Sequence, residues 1–458
     1  MISIAGVIGA GLFVGSANAI ATAGPGVLIS YAVAGLLVVL VMRMLGEMAA
    51  AQPDSGSFST YADRAIGRWA GFSVGWLYWW FWVLVIPLEA TAAATILNSW
   101  LPAVAQWIWA LGITLVLTVT NLFSVARYGE FEFWFALLKV VAIVAFIGLG
   151  ALAVFGLLPG SDVSGVSRLF DQGFLPNGFG AVITAVLITM FSFMGTEIVT
   201  IAAAESEHPA EQVRRATRSV IWRISVFYLA SIFLVVSLVP FNSPRLAEAG
   251  SYQSALELMG VSGAKGIVDV VVLVAVASCL NSALYTASRM IYSLGRRGEA
   301  PVAVTRTTTD GVPRTAVLAS TAVGFLTVIA NYLVPEAVFA TLLATSGAIA
   351  LLVYLVIAVS QLRLRRKLEQ AGVEMPVRMW GFPALTWAVV IVIPVMLIYM
   401  ATRESSRFDL AMTAAIAAVV VAVGVLTSRR SPVAHPAVDS TVDDDLGDAG
   451  ADRGDRVQ

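Results

Sequence analysis

The sequence has little of the chemistry that enzymes use. Its 458 residues include one cysteine, Cys279, and two histidines, His208 and His435. One cysteine excludes an internal disulfide framework, and two histidines give no basis for a histidine metal or catalytic site, so no cofactor is expected and an enzyme is a remote alternative. Charge is also scarce, with 12% charged residues against roughly 25% in a soluble domain. The net charge of −1 gives no indication of nucleic-acid binding.

Apolar residues fill the sequence instead. They make up 59% of the chain, and the mean hydropathy is +0.85. Because a spanning helix needs about 20 apolar residues, the sequence predicts an all-α polytopic membrane protein with about 12 transmembrane helices. No basic region precedes the first apolar run, so no cleavable signal peptide is predicted. The predicted segments are 2–22, 27–50, 70–98, 104–124, 132–157, 180–204, 219–240, 264–293, 314–334, 337–361, 382–402 and 408–428.

The basic residues predict the orientation of these segments, because lysine and arginine collect in cytoplasmic loops. If both termini are cytoplasmic, nearly all basic residues of the loops lie inside. The exceptions on the opposite side are Arg168, Arg245, Lys265, Arg403 and Arg407. Two inside loops, 57–69 and 205–219, look amphipathic and could lie on the inner membrane face or be solvated connectors. Residues 431–458 are rich in aspartate, and we expect a disordered acidic cytoplasmic tail.

The first apolar segment contains four glycines: Gly6, Gly9, Gly11 and Gly15. Each glycine weakens a helix by ~1 kcal/mol relative to alanine, so a helix broken in mid-membrane is one interpretation. A break leaves peptide N–H groups that need a partner in hydrocarbon, and an anionic group of a ligand at the start of the half-helix can be that partner. Close helix packing through small residues is the alternative.

The sixth segment combines Gly195 with Glu197 inside an apolar run. An ionisable residue at membrane depth is a functional candidate, although a glutamate at a helix end that reaches water is the alternative. Two interrupted segments five apart are typical of an inverted-repeat transporter with its site at the midplane. We therefore predict a first repeat over 1–157, a second over 158–361 and two further helices over 362–430.

Two other ionisable residues lie in predicted spans. Lys139 is the basic residue placed deep in a span, where apolar surroundings penalise its ammonium form. It could exchange a proton during transport, act as a fixed cation in place of a metal ion, or extend to the cytoplasmic surface. Glu89 follows Pro87, which loosens the helix, and could hold a ligand amine or a proton, or approach the outer surface.

Polar and aromatic side chains complete the candidates. Asn281 and Tyr285 share a helix face, where they could line the site or join helices. Phe191 and Phe193 flank the second interruption, where they could cover a ligand or pack in the core.

Longer stretches of the sequence resemble a known family. They read RMLGEM (43–48), GSFSTYAD (56–63), GWLYWWFWVLVIPLEA (75–90), YGEFEFW (128–134), FSFMG (191–195) and SRMIYSL (288–294). Through them the chain resembles amino-acid permeases of the amino acid–polyamine–organocation superfamily, most of all bacterial gamma-aminobutyrate (GABA) permeases, from residue 1 to about residue 361.

The resemblance implies a five-plus-five inverted-repeat core and proton-coupled uptake. It implies that the peptide N–H groups of Gly9, Ala10 and Gly11 hold the substrate carboxylate. It further implies that carbonyls of Phe191 and Met194, beside Gly195, face the amine of an α-amino acid. In GABA the amine lies farther from the carboxylate, so that contact is open.

Two ionisable residues also match the family. Glu197 matches an acidic residue implicated in gating or coupling, and Lys139 matches a lysine that replaces a sodium ion in proton-coupled relatives. Relatives carry a basic segment before the first helix, so either the true start lies upstream of Met1 or the inner gate lacks a cap.

Together these observations predict a multi-pass transporter of the bacterial plasma membrane that imports GABA or a related small amino acid with protons. The rival substrates are aromatic, basic or proline-type amino acids. A sensor that binds without transport and a passive channel are the alternatives from other classes.

Overall fold

The computed structural model describes residues 7–52, 57–123, 128–197, 208–308, 311–333 and 335–430. Within these ranges the chain is helical, with no β-strand. The described α-helices follow one another in this order: α1 Ser16–Ala23, α2 Val27–Ala51, α3 Ser57–Ala65, α4 Arg68–Trp100, α5 Gln106–Phe123, α6 Tyr128–Val154, α7 Gly178–Phe191, α8 Pro209–Arg223, α9 Ser231–Leu238, α10 Pro244–Ala249, α11 Ser251–Leu258, α12 Ala264–Arg296, α13 Arg314–Leu333, α14 Pro335–Gln370, α15 Ala384–Ala401 and α16 Glu404–Arg430. Two π-helical turns precede α1 and α9, at Gly11–Gly15 and Ile224–Ala230.

The helices confirm a polytopic membrane protein. Nine helical stretches of the described chain are long and apolar enough to cross a bilayer. One of them, Gly11–Ala51, contains the second predicted segment and the latter part of the first. Two more predicted segments correspond to the shorter apolar helices Gly178–Phe191 and Arg314–Leu326, so the exact number of twelve spans stays a prediction.

A glycine corner separates the first two segments. Helix α1 ends at Gly24, whose φ of 61° lies in the left-handed region that glycine adopts without strain. Pro25 follows in a short 3-10 turn, where its fixed φ suits the first turn of the next helix. The chain therefore reverses direction between α1 and α2 within three residues.

Helices α4 and α12, each 33 residues long, form the centre of the bundle and pack against each other along their length. Large side chains such as Trp82, Tyr31 and Tyr354 are fully buried around them. Apolar side chains on the outer helices, among them Val144 and Val419, are more than half exposed. Exposed apolar surface of this extent fits contact with lipid rather than water.

Helix α3 departs from the expectation that residues 57–69 lie on the membrane face or in solvent. Phe58 and Tyr61 are buried, and the helix packs against α4 and α14. The other predicted amphipathic loop is helical from Pro209; residues 205–207 and the acidic tail, 431–458, lie outside the described residues.

A buried polar network ties helix α2 to helix α14 at the end of the bundle that the basic residues predict to be cytoplasmic. The Glu47 carboxylate accepts hydrogen bonds from Gln361 Nε2, from the Met379 N–H and, at 2.8 Å, from Arg365. The Arg365 guanidinium also lies 4.0 Å from the ring centre of Phe382. A buried carboxylate with three donors is satisfied, so this network fixes the contact between α2 and α14.

Candidate substrate site

The first segment, described from residue 7, is not helical at Gly9, and this non-helical stretch is called the first interruption. Residues 7–9 form a turn, the helix begins at Ala10, and its first full turn is the π-helical turn Gly11–Gly15. A Cβ atom at Gly11 would lie 2.8 Å from Phe191 Cδ1 and 3.0 Å from Ser192 Cα. Glycine is therefore required at residue 11 because the interruption of the first segment packs directly on that of the sixth.

The sixth segment is interrupted where the sequence predicts it. Helix α7 ends at Phe191, a turn covers residues 192–195, and Gly195 has a φ of 98° before helical structure resumes at Thr196. The Tyr228 hydroxyl donates a 2.8 Å hydrogen bond to the Ser192 carbonyl. The freed carbonyl thus finds an internal partner, as a broken helix in a membrane requires.

A buried glutamate accepts from a peptide N–H at each interruption. The Ala10 N lies 3.1 Å and 3.0 Å from the two carboxylate oxygens of Glu89. The Gly195 N lies 3.0 Å from both oxygens of Glu197, which also accepts a 2.8 Å hydrogen bond from the Tyr78 hydroxyl. Negative charge at the start of a helical segment is favourable, so the two glutamates stabilise the two interruptions.

Three of the sequence alternatives are wrong. Glu89, Glu197 and Lys139 are all completely shielded from solvent by protein. Glu89 therefore does not approach the outer surface, and neither Glu197 nor Lys139 extends to water. The interior of the protein, rather than the membrane surface, surrounds all three ionisable groups.

Lys139 belongs to a polar cluster that joins helices α5, α6 and α12. Lys139 Nζ donates to Ser278 Oγ at 3.0 Å, and Ser278 in turn donates to Glu132 Oε2 at 2.7 Å. Asn281 Nδ2 donates to Glu132 Oε1 at 3.2 Å, and Asn281 Oδ1 accepts from Asn121 Nδ2 at 2.7 Å. The hydrogen bonds of Asn281 thus place it in the Lys139 cluster, whereas the sequence groups it with the substrate-binding residues.

Glu132 and Ser278 belong to this cluster although the sequence does not indicate them. Glu132 is fully buried, but it stands near the start of a predicted segment, where a glutamate ordinarily reaches water. Ser278 resembles the many small polar residues that join membrane helices. The spacing of Ser278 and Asn281 is a sequence pattern that could have indicated Ser278, because Ser278 precedes Asn281 by three residues and shares its helix face.

The aromatic residues of the second interruption have different neighbours. Phe193 is buried against Tyr228 and Tyr31, with ring centres 4.6 Å and 5.9 Å apart. Phe191 packs on the first segment at Gly11 and lies 6.0 Å from the ring of Phe81. Phe193 is thus a packing residue of the core, while Phe191 packs at the contact between the two interruptions.

A large cavity lies at the other end of the bundle from the Glu47 network. Its volume is about 1170 Å³, and Phe13 and Val14 of the first segment form part of its lining. Charged side chains of both signs also line it, namely Arg245, Glu257, Lys265 and Asp269. Phe13 stacks on Tyr252, with ring centres 4.9 Å apart, and Ser16 hydrogen-bonds Ser251 at 2.6 Å. These two contacts join the first segment to α11 next to the cavity.

Within the described ranges, no three side chains of histidine, cysteine, aspartate or glutamate gather in a group that could hold a metal ion. The groups that the described residues of the site do offer are peptide N–H and carbonyl groups, carboxylates and one ammonium. Their chemistry is that of binding a small charged molecule and of holding a proton.

Comparison with known proteins gives a consistent result. The family model described as "Amino acid permease" matches residues 1–431. The "Probable GABA permease" of Pseudomonas aeruginosa is 66% identical over 434 residues, which cover 94% of this chain and 91% of that protein. The "Gamma-aminobutyric acid permease" of Escherichia coli K12 is 62% identical over 418 residues, covering 91% of this chain and 90% of its own.

A solved structure supports the architecture alone. The crystal structure of a mutant manganese transporter from Eremococcus coleocola matches with a TM-score of 0.58 and covers 94% of this chain and 93% of its own. Its sequence identity is 15%. Likeness at that level indicates a shared transporter fold and says nothing of the substrate.

Proposed function

Because the chain belongs to the amino acid permease family, we propose that it is a secondary transporter that imports GABA or a closely related amino acid with protons. The observation that carries the proposal is the meeting of the two interrupted segments at Gly11 and Ser192. The high identity to two proteins named for GABA supports this substrate over aromatic, basic or proline-type amino acids.

The substrate carboxylate would bind at the first interruption. Gly9, Ala10 and Gly11 stand at the start of a helical segment, where N–H groups point along the axis and the helix dipole favours an anion. All three residues are buried. In such surroundings a carboxylate held by N–H donors is bound more strongly than it would be in water.

The rest of the substrate would extend along the second interruption. Phe191 supplies an apolar wall for the methylene groups, and Met194 and Gly195 lie on the turn that follows it. The Phe191 carbonyl accepts a 3.3 Å hydrogen bond from the Met194 N–H. A GABA-like amine would therefore donate to the carbonyl groups of this turn only through the acceptor lone pairs that this hydrogen bond leaves unused.

Proton coupling would use the buried ionisable groups Glu89, Glu197 and Lys139. Each is linked to a peptide group or side chain of another element, so a change of protonation alters the contacts between elements. The mixed-charge cavity would be the periplasmic entrance, and the Glu47 network would lie on the cytoplasmic side, with both chain termini. The asymmetry of lysine and arginine supports this orientation.

Counterflow in liposomes tests the proposal. Purified protein is reconstituted in vesicles loaded with unlabelled GABA, and entry of labelled GABA is followed against vesicles loaded with leucine, lysine, phenylalanine or proline. We expect GABA to drive exchange at least tenfold faster than the others, and an imposed inward proton gradient to drive accumulation that a protonophore abolishes.

Three outcomes would contradict the proposal or its substrate. Equilibration without accumulation would identify a passive channel, and GABA binding without exchange would identify a sensor. Exchange driven by another amino acid in the panel would leave the transporter and reject the substrate.

A further inference from the structure

Glu89 occupies the position at which a bound anion is expected. Both of its carboxylate oxygens lie within 3.1 Å of the Ala10 N, the donor that begins the helical segment. A Cβ atom at Gly9 would lie 2.5 Å from Glu89 Oε1 and 2.8 Å from Cys279 Cβ. The glycine at residue 9 therefore makes room for a carboxylate group against this amide.

The contact of Glu89 differs from that of Glu197 at the other interruption. Glu197 accepts from Gly195, two residues away in its own segment, and is held a second time by Tyr78. Glu89 lies 79 residues from Ala10 in the chain and reaches it from helix α4. The Glu197 contact with Gly195 is thus part of the local fold of the sixth segment, whereas the Glu89 contact joins two separate helices.

The charges around Glu89 come from two helices. Cys279 on α12 hydrogen-bonds Glu89, and Lys139 on α6 interacts electrostatically with both Glu89 and Glu132. Lys139 is linked to Glu132 through Ser278. Two carboxyl groups thus lie around one lysine, and Glu89 has the Ala10 N–H and the Cys279 thiol as its hydrogen-bond partners.

We propose that the substrate carboxylate and the Glu89 carboxylate compete for the Ala10 N–H, and that substrate binding therefore adds one proton to Glu89. This inference rests on the proposed function. Two carboxylates at one amide cannot both stay ionised, because like charges about 3 Å apart in a buried site strongly favour sharing one proton. One substrate molecule and one proton from solvent enter together, and no covalent bond of the substrate changes.

Proton uptake during binding tests the step. Purified protein in weakly buffered solution is mixed with GABA near neutral pH, and a pH-indicator dye counts the protons taken up per GABA bound. We expect about one proton for the wild type and none for Glu89→Gln, since glutamine keeps an acceptor oxygen for Ala10 but does not ionise. The GABA affinity of the wild type should fall with rising pH, approaching ~tenfold per pH unit, and that of Glu89→Gln should stay flat.

Glu299→Gln is the matched control, because it removes the charge of a largely buried glutamate that pairs with Arg297 and lies outside the proposed site. It should keep the proton uptake of the wild type. Wild-type uptake in Glu89→Gln, or loss of uptake in Glu299→Gln alone, would overturn the proposal.

A second measurement needs no amino-acid substrate. Glu89→Ala leaves the Ala10 N–H facing a space of carboxylate size, so sodium acetate should raise the thermal midpoint of this variant by mass action. Sodium chloride at equal ionic strength should not. The wild type and Glu89→Gln, in which a side-chain oxygen competes for the Ala10 N–H, should respond to acetate less than Glu89→Ala does. Absence of an acetate effect in Glu89→Ala would overturn the competition.

If Glu89→Ala cannot be purified, the proton count in Glu89→Gln decides. If the wild type binds no amino acid, the proposed function fails while the acetate measurement still judges the site at Ala10.

Discussion

At the scale of single residues, the site depends on two glycines, which have no side chain. Gly9 and Gly11 stand where a Cβ atom would overlap Glu89 and Ser192 respectively. Conformational freedom does not explain these two glycines, because Ala10 and Gly15 near them have ordinary right-handed helical angles. The missing Cβ atoms allow one interrupted segment to rest on another.

The variant Gly11→Ala tests this close approach. Helix propensity alone would make alanine more favourable by ~1 kcal/mol, but the clash with the Ser192 backbone should cost about 1–3 kcal/mol. We expect labelled GABA uptake by proteoliposomes to fall at least tenfold.

Gly112→Ala is the matched control, since a Cβ at Gly112 meets nothing within 4 Å. It should transport as the wild type does. Equal activity of the two alanine variants would show that the two interruptions are not packed as described.

At the scale of elements, helix α12 contacts the charged groups of the site. Ser278 links Lys139 to Glu132, and the next residue, Cys279, contacts Glu89. One turn of this helix therefore contacts charged residues from both α4 and α6. The arrangement therefore depends on the rotational position of α12 about its own axis.

Ser278→Ala should weaken this arrangement. Hydrogen bonds to charged groups contribute about 1.5–3 kcal/mol each, and the substitution removes two of them from a buried ion pair. We expect a thermal midpoint several degrees below that of the wild type and slower uptake. Ser288→Ala, which removes a hydrogen bond to the Tyr285 carbonyl of the same helix, should change the midpoint little, and a similar fall in both variants would contradict the bridging role.

The sequence predicts part of this arrangement and omits part for physical reasons. Glu89, Glu197 and Lys139 are evident because isolated charges are costly in apolar helices. Glu132 is not, since its burial depends on Ser278 and Asn281, which follow it by more than a hundred residues. The π-helical turn Gly11–Gly15 has no signal either, because it results from packing against the sixth segment rather than from helix propensity.

At the scale of the whole molecule, the two ends of the bundle differ. One end opens in a cavity of about 1170 Å³ lined by charges of both signs. The other end contains the ion pair of Glu47, whose side chain is 1% exposed, with Arg365, whose side chain is 11% exposed. The two ends of the bundle thus differ in packing, since one is an open cavity and the other a buried, paired polar network.

Arg365→Met tests how strongly that end is fastened. Removing one partner leaves Glu47 as an incompletely compensated buried charge, which costs about 3–5 kcal/mol. We expect a clearly lower thermal midpoint, partly restored by the double substitution Glu47→Gln with Arg365→Met. Arg366→Met, at an exposed neighbour, should behave as the wild type, and equal effects at both arginines would argue against the network.

Helix α4 carries both Tyr78, which holds Glu197, and Glu89, which holds Ala10. Eleven residues separate them, or ~16 Å along the helix axis. A tilt of α4 would therefore displace the partners of both residues, and with them both interrupted segments, at the same time. Pro87 lies between Tyr78 and Glu89. The extent to which α4 bends at Pro87 therefore determines whether the two interrupted segments move together.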